Sequence, residues 1–254
     1  MNRFYRSFTS VLVFAGAFFL FTECAKVHKQ SLDASYYTKR GIEFQLNGES
    51  EQAISDYTKA IEIDPKHAEA YFNRGLACAQ CEDTYDQAIS DFSKVIELDP
   101  KHALAYNNRG FLFMNHGQYD QAIADFDMAI TVNPQYFRAY YNRGIAWQSK
   151  GQYNRAIADY SVAIQIDPSH ALPYNNRGTA CHHKGQYDQA IADYNKAIEL
   201  DPEYALAYFN RGVASFKKGD CDKAREDFRN VQGMGYQISP EVFDQLRKAC
   251  GEGI

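Results

Sequence analysis

Arginine and aspartate recur along this chain in step with one another. Arg40, Arg74, Arg109, Arg143, Arg177 and Arg211 are followed, sixteen residues later or in one case seventeen, by Asp56, Asp91, Asp125, Asp159, Asp193 and Asp227. A guanidinium beside a carboxylate can fasten two segments through parallel charge-assisted hydrogen bonds, or the carboxylate can serve as an acid or base. A second column, Asn73, Asn108, Asn142, Asn176 and Asn210, directly precedes five of the arginines. An amide carries donor and acceptor together, so a row of them can grip a peptide main chain without reading its side chains.

The remaining reactive groups read as bland. Cys78-x-x-Cys81 is one pair without a second, which is too little for a zinc site. Cys78 and Cys181 take the slot that Phe113 and Trp147 fill in other copies, so they are core fillers. His182 and His183 diverge by about 100° on a helix and form a solvated pair rather than a metal site. His67, His102 and His170 recur at Pro-x-His, where the repeat period accounts for them. Glycine-rich phosphate loops, nucleophile elbows and His-Glu-x-x-His are absent from the sequence. No metal or cofactor is expected.

These columns need a scaffold that repeats. Asn-Arg-Gly starts at Asn73, Asn108, Asn142, Asn176 and Asn210, at intervals of 35, 34, 34 and 34 residues, and Lys39-Arg40-Gly41 fills the slot one period earlier. Pro65, Pro100, Pro134, Pro168 and Pro202 keep the same beat. In the third copy Tyr106, Gly110 and Phe113 share one face of a helix that ends near Gly117. Ala122, Phe126 and Ala129 repeat that spacing on a second helix, which Asn133-Pro134 stops because a residue before proline avoids the helical region. Two helices joined by so short a turn run antiparallel. Gly110 and Ala122 let the backbones approach, and Tyr106 and Phe126 fill the space beside them. One hairpin cannot bury its apolar face alone, so the copies stack.

Tyr140, Gly144, Ala156, Tyr160 and Pro168 together spell Tyr-x-x-x-Gly, then Ala-x-x-x-Phe or Tyr, then Pro. This closely resembles the tetratricopeptide repeat family over residues 34–236. The resemblance implies an all-α fold, a tetratricopeptide-type α-solenoid whose helix hairpins form a right-handed superhelix lined by the first helices. Two departures stand out: Cys81-Glu82-Asp83-Thr84 replaces the Gly-Gln of Gly117-Gln118, and the sixth copy ends in Tyr236 without its proline. Pro173 lies in a first turn, where a missing N–H costs little. Residues 237–254 hold one amphipathic helix, entered at Ser239-Pro240 with Val242, Phe243 and Leu246 on its apolar side, that caps the stack.

Helical geometry then assigns the columns. Arg109 lies eight residues before Gly117 and Asp125 eight after it, so the hairpin brings them level. Each sits about 60° from the packed face, on the same flank. Arg109–Asp125, Arg143–Asp159 and their equivalents are therefore expected as structural ion pairs rather than catalytic groups. Asn108 lies about 200° from Tyr106 and points away from the packed face with Leu104, Phe111 and Asn115. The column resembles the asparagine ladder of superhelical tetratricopeptide grooves, which implies a peptide-binding surface. The alternative is that these amides bond to the neighbouring copy. Phe72, Tyr141 and Phe209, and Phe111 in a second slot, are the candidate apolar anchors, unless adjacent helices cover them. Thr38 and Ile42 are the wrong types for the carboxylate clamp of related co-chaperones.

With 45% hydrophobic and 15% aromatic residues, the 254-residue chain can bury a large core, which excludes disorder. A formal net charge of −5 and no basic stripe exclude a nucleic-acid binder. Arg3 and Arg6 precede an apolar run, Val11 to Phe21, so residues 1–24 read as a signal peptide or membrane anchor, followed by a linker at 25–33. Cys24 resembles the lipid-attachment site of bacterial lipoproteins, although Thr22-Glu23 departs from the small residues preferred there. Cleavage, lipidation and retention all stay open. Cys221 and Cys250 are the candidate disulfide: a cap docked like the first helix of a seventh copy brings its end beside the start of the helix it covers. Repeats and cap consume nearly every residue after the leader. The expected function is thus a non-enzymatic protein–protein interaction module binding a polypeptide or peptide ligand in its concave groove. An exported protein, periplasmic or membrane-anchored at the cell envelope, is expected. The alternative is a scaffold or assembly factor acting through its edges or by self-association.

Overall fold

A computed structural model describes residues 33–80 and 82–251. The N-terminal segment with Cys24, and Cys81 of the Cys-x-x-Cys pair, lie outside the described residues. Thirteen α-helices and no strands are present among the described residues, in two compact units divided after Pro100. The first unit holds α1 (Ala34–Leu46), α2 (Ser50–Ile63), α3 (Ala68–Cys78) and α4 (Tyr85–Leu98). The second holds α5 (Ala103–Asn115), α6 (Tyr119–Val132), α7 (Phe137–Ser149), α8 (Tyr153–Ile166), α9 (Ala171–His183), α10 (Tyr187–Leu200), α11 (Ala205–Lys218), α12 (Cys221–Gly233) and α13 (Pro240–Cys250). No helix among the described residues is long and apolar enough to cross a membrane.

Local chemistry sets each boundary. The turn inside a hairpin is made by a glycine in the left-handed region, as at Gly117 with φ 73°. There the Gly117 N–H donates to the Met114 carbonyl at 3.0 Å and the Gln118 N–H to Phe113 at 2.8 Å, which satisfies the carbonyls at the end of α5. The second helix of each of the first five repeats stops at an extended residue before proline, as at Asn133 with φ −133° and ψ 92°. The longer turn of the second repeat forms a short 3-10 helix, Glu82–Thr84, and the Thr84 hydroxyl donates to the Cys78 carbonyl at 2.6 Å.

Within a hairpin the two helices touch through one aromatic ring. Tyr57, Phe92, Phe126, Tyr160, Tyr194 and Phe228 are fully buried, and alanines of the same and neighbouring helices surround several of them, as Ala53 and Ala77 do Tyr57 and Ala190 and Ala214 do Tyr194. The ring lies against the glycine of the first helix so closely that a Cβ built on Gly144 would stand 2.6 Å from Tyr160 Cε1. Tyrosine takes the slot where a partner exists for its hydroxyl: Tyr57 donates to Gln45 at 2.8 Å and Tyr160 to Gln148 at 3.1 Å. Burial pushes the Tyr57 phenol up to about 12, with Glu69 adding to the effect.

Inside each unit the hairpins stack so that every second helix packs on the first helix of the next repeat: α2 on α3, and α6 on α7, α8 on α9, α10 on α11. First helices also approach one another, α1 to α3, and α5 to α7 to α9 to α11, while second helices pack chiefly on first helices. The first helices therefore form the crowded side of each unit.

The cap closes the second unit. Ile238, Val242 and Phe243 pack on the cluster around Ala224 and Phe228 that α11 and α12 build, with Phe209, Val213 and Phe216. The side chain of Leu246, expected on the same side, lies outside the described residues. A disulfide joins Cys221 at the start of α12 to Cys250 at the end of α13, with their Cα atoms 5.8 Å apart. Arg225 donates to the Cys250 carbonyl at 2.7 Å and so satisfies the end of the cap.

Two predictions follow from these contacts. The disulfide closes 29 residues of chain, so reducing it removes about 3–4 kcal/mol from the closure of the cap; hydrogen exchange should show α13 amides losing protection on reduction while α5–α10 keep theirs. Gly144→Ala forces the Tyr160 ring to move and should cost roughly 1–3 kcal/mol. By contrast Gly233→Ala, with nothing within 4 Å, should be neutral or slightly stabilising by urea denaturation.

Candidate functional site

Six arginine–aspartate forks hold the hairpins. In five of them Nε donates to Oδ2 at 2.8–2.9 Å and Nη2 to Oδ1 at 2.6–2.7 Å: Arg74–Asp91, Arg109–Asp125, Arg143–Asp159, Arg177–Asp193 and Arg211–Asp227. Arg40 and Asp56 make the same pair, with Nη2 to Oδ1 at 2.8 Å. All six aspartates are buried. The arginine also lies over an aromatic ring of its own helix, as Arg177 does over Tyr174 at 5.7 Å and Arg211 over Tyr208 at 5.3 Å.

The third guanidinium nitrogen carries a bond that the sequence reading missed. Nη1 of Arg74 donates to Thr58 at 3.0 Å, of Arg143 to Asp127 at 2.5 Å, of Arg177 to Ser161 at 3.1 Å and of Arg211 to Asn195 at 2.6 Å. Each acceptor sits on the second helix of the preceding repeat, so one side chain ties three helices. The clue was present: Thr58, Asp127, Ser161 and Asn195 all stand sixteen residues before an arginine and all carry a side-chain oxygen.

The forks set the local electrostatics. Hydrogen bonding from Arg40 holds the Asp56 carboxyl below its ordinary value, against the effect of burial. Burial pulls the Arg143 guanidinium down, but Asp159 and Asp127 together outweigh it and keep the group above its ordinary value.

One residue before each fork, the asparagine column turns towards the neighbouring first helix. Asn142 Nδ2 donates to Asn107 Oδ1 at 3.0 Å, Asn176 to the Tyr141 hydroxyl at 3.1 Å, and Asn210 to Asn175 Oδ1 at 3.0 Å. The column thus lies on the crowded side, where first helices meet, and part of its bonding capacity is spent between repeats. Asn142 and Asn210 keep their carbonyl oxygens without a partner among the described residues, while Asn176 accepts from Asn175 at 3.2 Å. Asn73 and Asn108 make no side-chain hydrogen bond among the described residues, and all five amides are half-buried.

The expected anchors divide. Phe72, Tyr141 and Phe209 are half-buried and rest on the core rings Phe92, Tyr160 and Phe228 at 5.8, 6.0 and 5.7 Å. Phe111 is 43% exposed. Three leucines that the anchor reading passed over stand out further: Leu104, Leu172 and Leu206 are 47%, 50% and 51% exposed, each six residues before a repeat glycine. Their common register with Asn108's face was the available sign. In the second unit the first-helix side therefore combines a row of fixed amides with exposed leucine and phenylalanine. Elsewhere, Cys78 and Cys181 are buried, and burial raises the Cys181 thiol. His183 stacks on Tyr153 at 4.8 Å, and burial, helped by His183 and Lys217, lowers His182.

Comparison with known proteins gives a consistent pattern. Family profiles described as TPR repeat match residues 34–80, 84–117 and 178–219, and profiles described as tetratricopeptide repeat match 103–136, 137–170 and 160–192. The chain is 43% identical over 44 residues to the uncharacterized protein MJ0572 of Methanocaldococcus jannaschii, a match that spans 17% of this chain and about half, 51%, of that relative. Among solved structures, MamA is 29% identical with a TM-score of 0.61, over 65% of this chain and 96% of MamA. Pseudomonas aeruginosa pilF superposes with a TM-score of 0.72 at 19% identity, over 85% and 97% of the two chains. YrrB, described as a TPR protein with an unusual peptide-binding site, gives 0.61 at 23% identity over 72% and 94%. At their identities, pilF and YrrB show a shared fold alone.

The Arg40–Asp56 fork predicts an acid limit, whereas burial, the larger effect at Asp159, raises that carboxyl despite Arg143. Because the folded pKa of Asp56 lies below its unfolded value, the Arg40–Asp56 pair contributes stability that is complete above about pH 4 and is lost as pH falls through the folded value. Thermal melts between pH 7 and 2 should show the midpoint falling in acid. In Asp56→Asn the neutral-pH midpoint should already be lower and the acid-dependent fall smaller; an unchanged fall would contradict this assignment.

Proposed function

The chain belongs to the tetratricopeptide repeat family, and from that premise we propose that it is a non-enzymatic module that holds an extended polypeptide against its first-helix side. The observation that carries this reading is the row of half-buried amides at Asn108, Asn142, Asn176 and Asn210, bordered by exposed Leu104, Phe111, Leu172 and Leu206. Bonds between repeats hold three of the amides in place, which lowers the entropy lost when a ligand binds. Packed helix axes lie roughly 8–10 Å apart and an extended chain rises about 3.3 Å per residue, so one amide meets the ligand main chain about every third residue. Main-chain bonds of this kind supply affinity, and the apolar side chains between them supply selectivity.

The same proposal places the protein at the cell envelope. What supports this is Arg3 and Arg6 ahead of the apolar run Val11 to Phe21, together with the Cys221–Cys250 disulfide, which persists in an oxidising compartment.

The test exploits Asn108, whose removal breaks no bond between repeats. Partner capture from an envelope extract by wild type should fall severalfold with Asn108→Ala and further with Asn142→Ala added, while the melting temperature of Asn108→Ala stays within about two degrees. Unchanged capture by both variants would point instead to a scaffold acting through its edges.

A further inference from the structure

The last first helix of the second unit borders a cleft of about 380 Å³, between the start of α11 and the connection from α12 to the cap. Its apolar wall is built by Leu206 and Phe209 from α11 and by Tyr236 and Ile238 from the connection. Leu206 and Tyr236 are 51% and 60% exposed, so this surface is open to solvent. At the small end of the range for ligand pockets, the volume suits one large apolar side chain with its main chain.

Two carboxylates also line the cleft, Asp201 and Glu203, on the exposed loop that leads into α11. Asp201 accepts the Glu203 N–H at 3.1 Å, but neither carboxylate meets a cation among the described residues. An apolar group entering alone would strip water from both charges without replacing it, and an acidic neighbour would be repelled. A lysine or arginine beside the apolar group supplies the missing counter-charge. The Ile238 wall is held in place by the cap, through the cluster that includes Val242, Phe243 and Cys250.

We infer that this cleft is the anchor pocket for a partner polypeptide presenting a large apolar side chain flanked by basic residues. The inference rests on the proposal that the first-helix side holds a polypeptide, since Leu206 and Phe209 belong to both surfaces. It adds the chemistry of one ligand position and the end of the groove at which that position sits.

Isotope-labelled protein with its disulfide intact, titrated with three short peptides in a glycine-serine background, tests it by NMR. One peptide carries leucine between two lysines, the second leucine between two glutamates, the third alanine between two lysines. The first should shift the amides of 203–209 and 236–238 and bind about tenfold more tightly than either control. Asp201→Asn with Glu203→Gln should weaken it about threefold, and high salt should do the same in the wild type. Equal binding of the glutamate peptide, shifts centred away from these residues, or no shift at millimolar peptide would overturn the inference. Its failure is separable from that of the groove: cleft binding is read from these shifts, whereas the groove is read from partner capture by Asn108→Ala.

Discussion

The whole stack depends on one side chain used three ways. In each fork the guanidinium gives two donors to a buried aspartate of its own hairpin, and in four repeats its third nitrogen reaches the second helix of the repeat before. A buried carboxylate without such a partner would be strongly destabilising, because its charge would be left uncompensated. The fork is thus less a source of net stability than a condition on geometry. It is satisfied only when three helices stand at set distances, and lysine, a point charge without the planar fork, could not satisfy it.

Position on the helix then carries that constraint to the binding surface. Adjacent residues on a helix point about 100° apart, so fixing the arginine towards the second helices turns the preceding asparagine towards the first helix of the repeat before. The glycine that follows lets the core ring press against the backbone, bringing the hairpin close enough for the fork to close. Asparagine, arginine and glycine in succession therefore serve the first-helix side, the joint and the core in turn. The regular spacing of amides across the second unit follows from the regularity of the joints.

Much of this was legible in the sequence, because the repeated residues act through short-range geometry. Gly117 and Pro134 marked turn and stop by backbone preference, and Arg109 with Asp125 could be paired by counting from the turn. Cys221 and Cys250 could be brought together on the premise that the cap docks like the first helix of a seventh copy, with two unrelated thiols as the alternative. Less legible were bonds between repeats, which depend on how far one hairpin sits from the next. The reach of Arg143 to Asp127 and of Asn142 to Asn107 are of that kind, although each acceptor column repeats in phase. The partial burial of Phe72, Tyr141 and Phe209 was equally out of reach, since angular position alone does not say which side chains a neighbouring helix covers. The exposure of Leu172 and Leu206, by contrast, was legible from the register they share with Leu104.

The central claim is that the first-helix side, and not the second-helix side, receives the polypeptide. Site-specific photo-crosslinking tests it most directly, with a benzophenone side chain placed at Leu172 on α9 or at Met128 on α6, which are similarly exposed at 50% and 42%. The account predicts crosslinked polypeptide from position 172 and little from position 128. Equal yields from both, or capture from position 128 alone, would contradict it.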